Sequence, residues 1–89
     1  MTVATKHRIL IVEDEALVAE DLRVRLERLD YEIVGIVDRA EEVFGAVAEQ
    51  RPDLVLMDIK LKGVMDGIEA GKRLRAAGPV PFMFVTSHA

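Results

Sequence analysis

Apolar residues fall along the chain in two alternating patterns, short unbroken runs and longer stretches with helical spacing. Ile9-Leu10-Ile11-Val12 is an unbroken branched run, the pattern of a strand buried on both faces as in a parallel sheet. Three acids, Glu13-Asp14-Glu15, end it abruptly. From Ala16 to Leu29 the positions Val18, Leu22, Leu26 and Leu29 recur at helical spacing, with Glu20, Arg23, Glu27 and Arg28 on other faces, which predicts an amphipathic helix. Glu32 to Val37 reads as a second strand. Ala40, Val43, Phe44 and Val47 mark a second helix that should stop before Pro52. Leu54-Val55-Leu56-Met57 is a third buried run, and it too delivers a carboxylate, Asp58, at its C-terminal end. Ile59 to Asp66, containing Gly63, reads as a loop. A helix starts near Gly67, with Asp66 as its N-cap and Ile68, Gly71 and Leu74 towards the core; Gly71 lowers its propensity by about 1 kcal/mol relative to Ala. Gly78-Pro79 ends that helix, and Val80 to Val85 is a fourth strand leading into Thr86-Ser87-His88-Ala89.

Strands alternate with helices and no hairpin signal joins successive strands, so right-handed crossovers and a doubly wound parallel α/β sheet are expected. The 89 residues have room for one domain, and the hydrophobic fraction of 51% suffices for its core. The longest apolar runs are far short of the roughly 20 residues that span a bilayer. The polar start, Met1 to Arg8, lacks the apolar stretch of a secretory signal and the chain has no cysteine, so a cytoplasmic location is expected. Sixteen acidic against twelve basic residues, a net charge of -4, disfavour binding to nucleic acid or anionic lipid. Tyr31, Phe44, Phe82 and Phe84 are too few aromatics for a base-stacking platform.

The chemistry-bearing residues gather at strand ends. In an open parallel sheet, ligands sit outside the carboxyl ends of the strands near the point where strand order reverses, and Glu13, Asp14, Asp58 and Thr86 all fall at such ends. If the first and third strands are neighbours, three carboxylates converge, and a hard cation with oxygen ligands relieves their repulsion most simply. Mg²⁺ held by one or two carboxylates keeps positions open for phosphate oxygens, which suits phosphoryl chemistry.

Three segments together carry a resemblance. Ile9-Leu10-Ile11-Val12-Glu13-Asp14-Glu15, then Asp53-Leu54-Val55-Leu56-Met57-Asp58 followed by Gly63 and Asp66-Gly67, and finally Val85-Thr86, resemble the receiver domains of two-component response regulators, at receiver-like spacing from Arg8 to Ala89. The resemblance implies a flavodoxin-like strand order 2-1-3-4 and a phosphoacceptor at Asp58, which would attack a phosphohistidine of a sensor histidine kinase or phosphotransfer protein. It implies that Asp14, Asp58 and the Lys60 backbone carbonyl ligate Mg²⁺ directly, with Glu13 acting through water. Thr86 matches the family's switch hydroxyl, and Lys60 and His88 stand where receivers vary the residues that tune phosphoryl lifetime.

A receiver normally continues with a fourth helix, a fifth strand ending in a lysine, and a fifth helix. The chain is therefore expected to be the N-terminal two-thirds of such a domain and a fragment of a longer protein. Weakened phosphorylation is expected without the lysine, and the fourth strand would be an apolar edge open to self-association. Glu15, Asp38, Glu41 and Glu42 are expected to be helix caps or solvated loop acids, and His7 an exposed arm residue. A phosphatase of the haloacid-dehalogenase type needs a second acid two residues after its nucleophile, where Lys60 stands here. A flavodoxin-like flavin site needs amides and hydroxyls where Glu13-Asp14-Glu15 would repel a phosphate. A pseudo-receiver, an interaction module that never carries phosphate, would leave the retention of Glu13, Asp14, Asp58 and Thr86 unexplained.

Overall fold

The computed structural model describes residues 6–61, 65–78 and 80–85. Strands β1 (Arg8–Val12), β2 (Glu32–Val37), β3 (Leu54–Asp58) and β4 (Phe82–Val85) alternate with helices α1 (Ala16–Arg28), α2 (Val43–Gln50) and α3 (Gly67–Ala77), and a 3-10 turn at Ala40–Glu42 leads into α2. The strands form one parallel sheet in the order β2-β1-β3-β4, as the resemblance implies.

The unbroken apolar runs have the cause assigned to them, because helices cover both faces of the sheet. Leu10, Val12, Val55 and Met57 turn to one face and meet Ala40, Val43, Ala70 and Leu74 from the 3-10 turn, α2 and α3. Ile9, Ile11 and Leu56 turn to the other, against Ala19 with Leu22 and Leu26 of α1. Local chemistry sets the helix ends. Asp30 (φ 72°) and Arg51 (φ 49°) take the left-handed conformation just past α1 and α2. The Tyr31 and Arg51 amides return to the carbonyls of Leu26 and Val47 at 3.0 and 2.9 Å. Asp66 caps α3 as predicted, its side chain accepting from the Glu69 amide at 2.9 Å.

Three local readings change. β4 begins at Phe82 rather than Val80: Pro81 has no N–H for the ladder, and its carbonyl instead accepts from the Val55 amide at 3.0 Å. Leu29 is 68% exposed, because it caps α1 instead of lying on its inner face. Ile68 is 40% exposed, lining an open groove with Gly71, Phe82 and Phe84, while Gly67, Ala70, Gly71 and Leu74 are the buried positions of α3. Gly71 is also explained: a Cβ there would lie 2.9 Å from ring atoms of both Phe82 and Phe84, so its absence lets α3 settle on β4. No helix among the described residues is long and apolar enough to cross a membrane.

Burial separates the centre of the sheet from its edge. Leu10 is fully buried in the central strand, whereas Met83 on β4 is 57% exposed. Urea denaturation should show Leu10→Ala losing about 2–5 kcal/mol of stability. Met83→Lys should stay within about 0.5 kcal/mol of the parent; equal losses would contradict this division.

Candidate metal and phosphoacceptor site

Strand pairing builds the site. β1 pairs with β3 in a parallel register that sets Val12 beside Met57, so the residues that follow, Glu13 and Asp58, leave the two central strands at the same level. The Glu13 amide still donates to the Val37 carbonyl at 2.9 Å, which holds the end of β1 against β2 one residue beyond the strand. Side chains alternate across a sheet, and Glu13 and Asp58 therefore share a face with Ile11 and Leu56, the side on which α1 packs. Asp14 follows at the entrance to α1.

The result is a cluster in which one carboxylate oxygen each from Glu13, Asp14 and Asp58 lies within 4.8 Å of the others. Glu13 and Asp58 are the buried polar residues among the described residues, at 4% and 7% exposure, while Asp14 is half-buried at the mouth. Burial is the largest influence on Glu13 and raises its pKa from the usual carboxylate range to about 7; the Glu15 amide, donating at 3.1 Å, partly offsets this, and Asp14 and Asp58 add to the rise. A pocket that drives one of three acids to hold its proton near neutrality is short of positive charge. The donors are all carboxylate oxygens, the set a hard divalent cation prefers, so these residues could hold a metal ion.

The backbone around Asp58 is tightly organised. The Lys60 amide donates to Asp58 Oδ1 at 3.2 Å, while the Lys60 side chain stays exposed. The Gly67 amide donates to the Ile59 carbonyl at 3.0 Å, closing the base of the loop. A Cβ on Gly67 would stand 2.1 Å from the Asp58 carbonyl oxygen, far inside any allowed contact. Gly67 thus does more than open a helix: it lets α3 start directly against the strand end that bears Asp58.

Among the other acids, Glu15 and Glu42 stand before helices without a side-chain capping bond. Glu41 instead accepts a hydrogen bond from the Met65 amide at 2.8 Å, a contact across 24 residues that no local pattern announces. His7 is exposed on the arm, as expected. Thr86, His88 and Gly63 lie outside the described residues.

A family model described as the response regulator receiver domain matches residues 9–89. The transcriptional regulatory protein PdtaR of Mycobacterium tuberculosis is 37% identical over 84 residues, which cover 94% of this chain and 40% of PdtaR. The signal receiver domain of a modulated diguanylate cyclase from Desulfovibrio desulfuricans superposes with a TM-score of 0.84 at 43% identity, over 92% of this chain and 66% of that one. PhyR of Bartonella quintana, an anti-anti-sigma factor crystallised with the anti-sigma factor NepR, superposes with a TM-score of 0.80 at 30% identity, over 89% of this chain and 33% of its own. The chain thus spans well under half the length of PdtaR and of PhyR.

Two measurements check the site. Because the folded pKa of Glu13 is raised, its ionisation costs nothing below the unfolded value of 4.5 and costs progressively more as pH rises through about 7. In buffer free of divalent cations, Glu13→Gln should therefore melt close to the parent near pH 4.5 and clearly above it at pH 8; a gap that shrinks with rising pH would contradict the assignment. Gly67→Ala, despite its better helix propensity, should lose about 1–3 kcal/mol in chemical denaturation as the strand end is displaced. A neutral or stabilising result would show that the loop yields freely.

Proposed function

Because the chain belongs to the response regulator receiver family, we propose that it is the phosphoacceptor of a two-component system, taking a phosphoryl group on Asp58 from a sensor histidine kinase or phosphotransfer protein with the help of Mg²⁺. It is a signalling domain rather than a conventional enzyme. The observation that carries the reading is the convergence of Glu13, Asp14 and Asp58 at the ends of the two central strands. Asp14 and Asp58 would ligate the ion directly together with the Lys60 backbone carbonyl, and Glu13 through water.

When bound, Mg²⁺ would supply the positive charge that offsets the three carboxylates and the phosphoryl oxygens. Asp58 does the bond-making. One of its carboxylate oxygens bonds to phosphorus as the P–N bond to the donor histidine breaks, and the electron pair of that bond returns to the imidazole, which leaves neutral with one ring proton. An acyl phosphate remains on Asp58. The Lys60 amide orients the carboxylate through Oδ1, and burial keeps bulk water from much of it, so positioning and charge do most of what phosphoryl transfer requires. Thr86 would then donate its hydroxyl to a phosphoryl oxygen and draw the end of β4 inward; it follows Val85, the Cα partner of Asp58 across the β3–β4 pairing, which supports that role.

Thermal melts with and without Mg²⁺, run on the parent and on Asp58→Asn, test the reading together with phosphoryl uptake from acetyl phosphate followed by mass. At Mg²⁺ a hundredfold above its dissociation constant, the parent should gain about 2.7 kcal/mol. Asp58→Asn should be the more stable of the two without metal, because a like charge has gone, and should respond less to Mg²⁺ and take up no phosphoryl group. A metal response untouched by the substitution, or uptake that persists in the variant, would assign the chemistry elsewhere.

A further inference from the structure

We infer that Glu41 is a positioning residue for the metal and phosphoacceptor site, acting by tethering the loop between β3 and α3; the inference rests on the function proposed above. Three contacts hold the described ends of this loop. At its start the Lys60 amide bonds Asp58 Oδ1 at 3.2 Å, and at its close the Gly67 amide bonds the Ile59 carbonyl at 3.0 Å. Both belong to the strand end and the helix start. The third comes from a different part of the chain: Glu41, in the 3-10 turn before α2, accepts from the Met65 amide at 2.8 Å through Oε1. The Met65 side chain is buried in the same apolar cluster as Ala40 and Val43, the residues flanking the Glu41–Glu42 pair, and Leu61 packs on that cluster as well.

Packing and hydrogen bonding therefore fasten one point of the loop to the 3-10 turn that precedes α2. Packing alone would locate the Met65 side chain but leave its backbone free to rotate. A charge-assisted bond to the amide restrains the peptide planes too. The chain from Lys60 to Gly67 is short, and the Lys60 carbonyl is one of the proposed ligands, so a restraint at Met65 limits how far that carbonyl and the Asp58 backbone under Gly67 can drift. An oxygen ligand to Mg²⁺ tolerates little drift, because the ion demands near-octahedral geometry.

Glu41 is also a negative charge, and a charge alone could attract a cation without any tether. The amide of Gln keeps an acceptor oxygen of the same reach and removes the charge, whereas Ala removes both. Mg²⁺ titration calorimetry on the parent, Glu41→Gln and Glu41→Ala, at a temperature where circular dichroism shows all three folded, separates the roles; hydrogen exchange of the Met65 amide reports the tether itself. The tether predicts a dissociation constant raised about five- to tenfold and faster Met65 exchange in Glu41→Ala, with Glu41→Gln within about twofold of the parent in both. Should Glu41→Ala not fold, Glu41→Asp, one methylene short of the amide, should reproduce its loss of affinity. Equal weakening in Gln and Ala would show a purely electrostatic role, and unchanged affinity in Ala would show a purely structural one; either overturns the inference while leaving the proposed function intact. A parent protein that binds no Mg²⁺ would instead overturn the proposed function, and the positioning role with it.

Discussion

Parallel pairing of β1 with β3 in the centre of the sheet forces like charges together. Val12 and Met57 stand side by side, and the next residue on each strand is an acid buried to within a few per cent. Placing carboxylates where water is scarce is unfavourable unless protons, hydrogen bonds or cations answer the charge. Among the described residues the fold answers with a Glu13 pKa raised to about 7 and with backbone amides of Glu15 and Lys60 aimed at Glu13 and Asp58. The charge they leave unanswered is what the proposed cation would offset.

The surrounding architecture keeps that crowding in place. Two apolar layers hold the central strands from both faces, so neither acid can swing away without opening the core. At the far end of the sheet, Asp53 grips β1, accepting from the Arg8 amide through its side chain and donating to the Arg8 carbonyl through its own amide, each at 2.7 Å. The register that aligns Glu13 with Asp58 is thus secured at both ends of the strand pair. At the site, Gly67 brings α3 within contact of the Asp58 backbone, and Glu41 binds the loop that joins them. Under the proposed function such stiffness would serve the chemistry, since in-line phosphoryl transfer depends on where the nucleophile is held more than on any covalent assistance.

The open groove between α3 and β4 belongs to a different regime. Ile68, Phe82 and Phe84 contribute apolar surface, and the guanidinium of Arg75 lies 5.8 Å from the centre of the Phe82 ring. The two rings meet edge to face at 5.5 Å between centroids. Here sequence periodicity misleads: Ile68 has the spacing of a core residue, yet burial depends on whether another element lies over it.

The residues alone determined the order of elements, the parallel sheet, the Asp66 cap, and that Glu13, Asp14 and Asp58 come together where two strands end. These are legible because they follow from short-range rules: unbroken apolar runs mark strands covered on both faces, and carboxylates ending two such runs must emerge at one rim of a parallel sheet. Only the tertiary structure decided what depends on contact between distant segments. It turned Ile68 outward and left no room for a Cβ at Gly67 beside a neighbour nine positions away. It also converted Glu41, one of several acids beside a helix, into the partner of an amide 24 residues along. The raised pKa of Glu13 belongs to the same class, because burial is a property of packed layers and no stretch of sequence contains it.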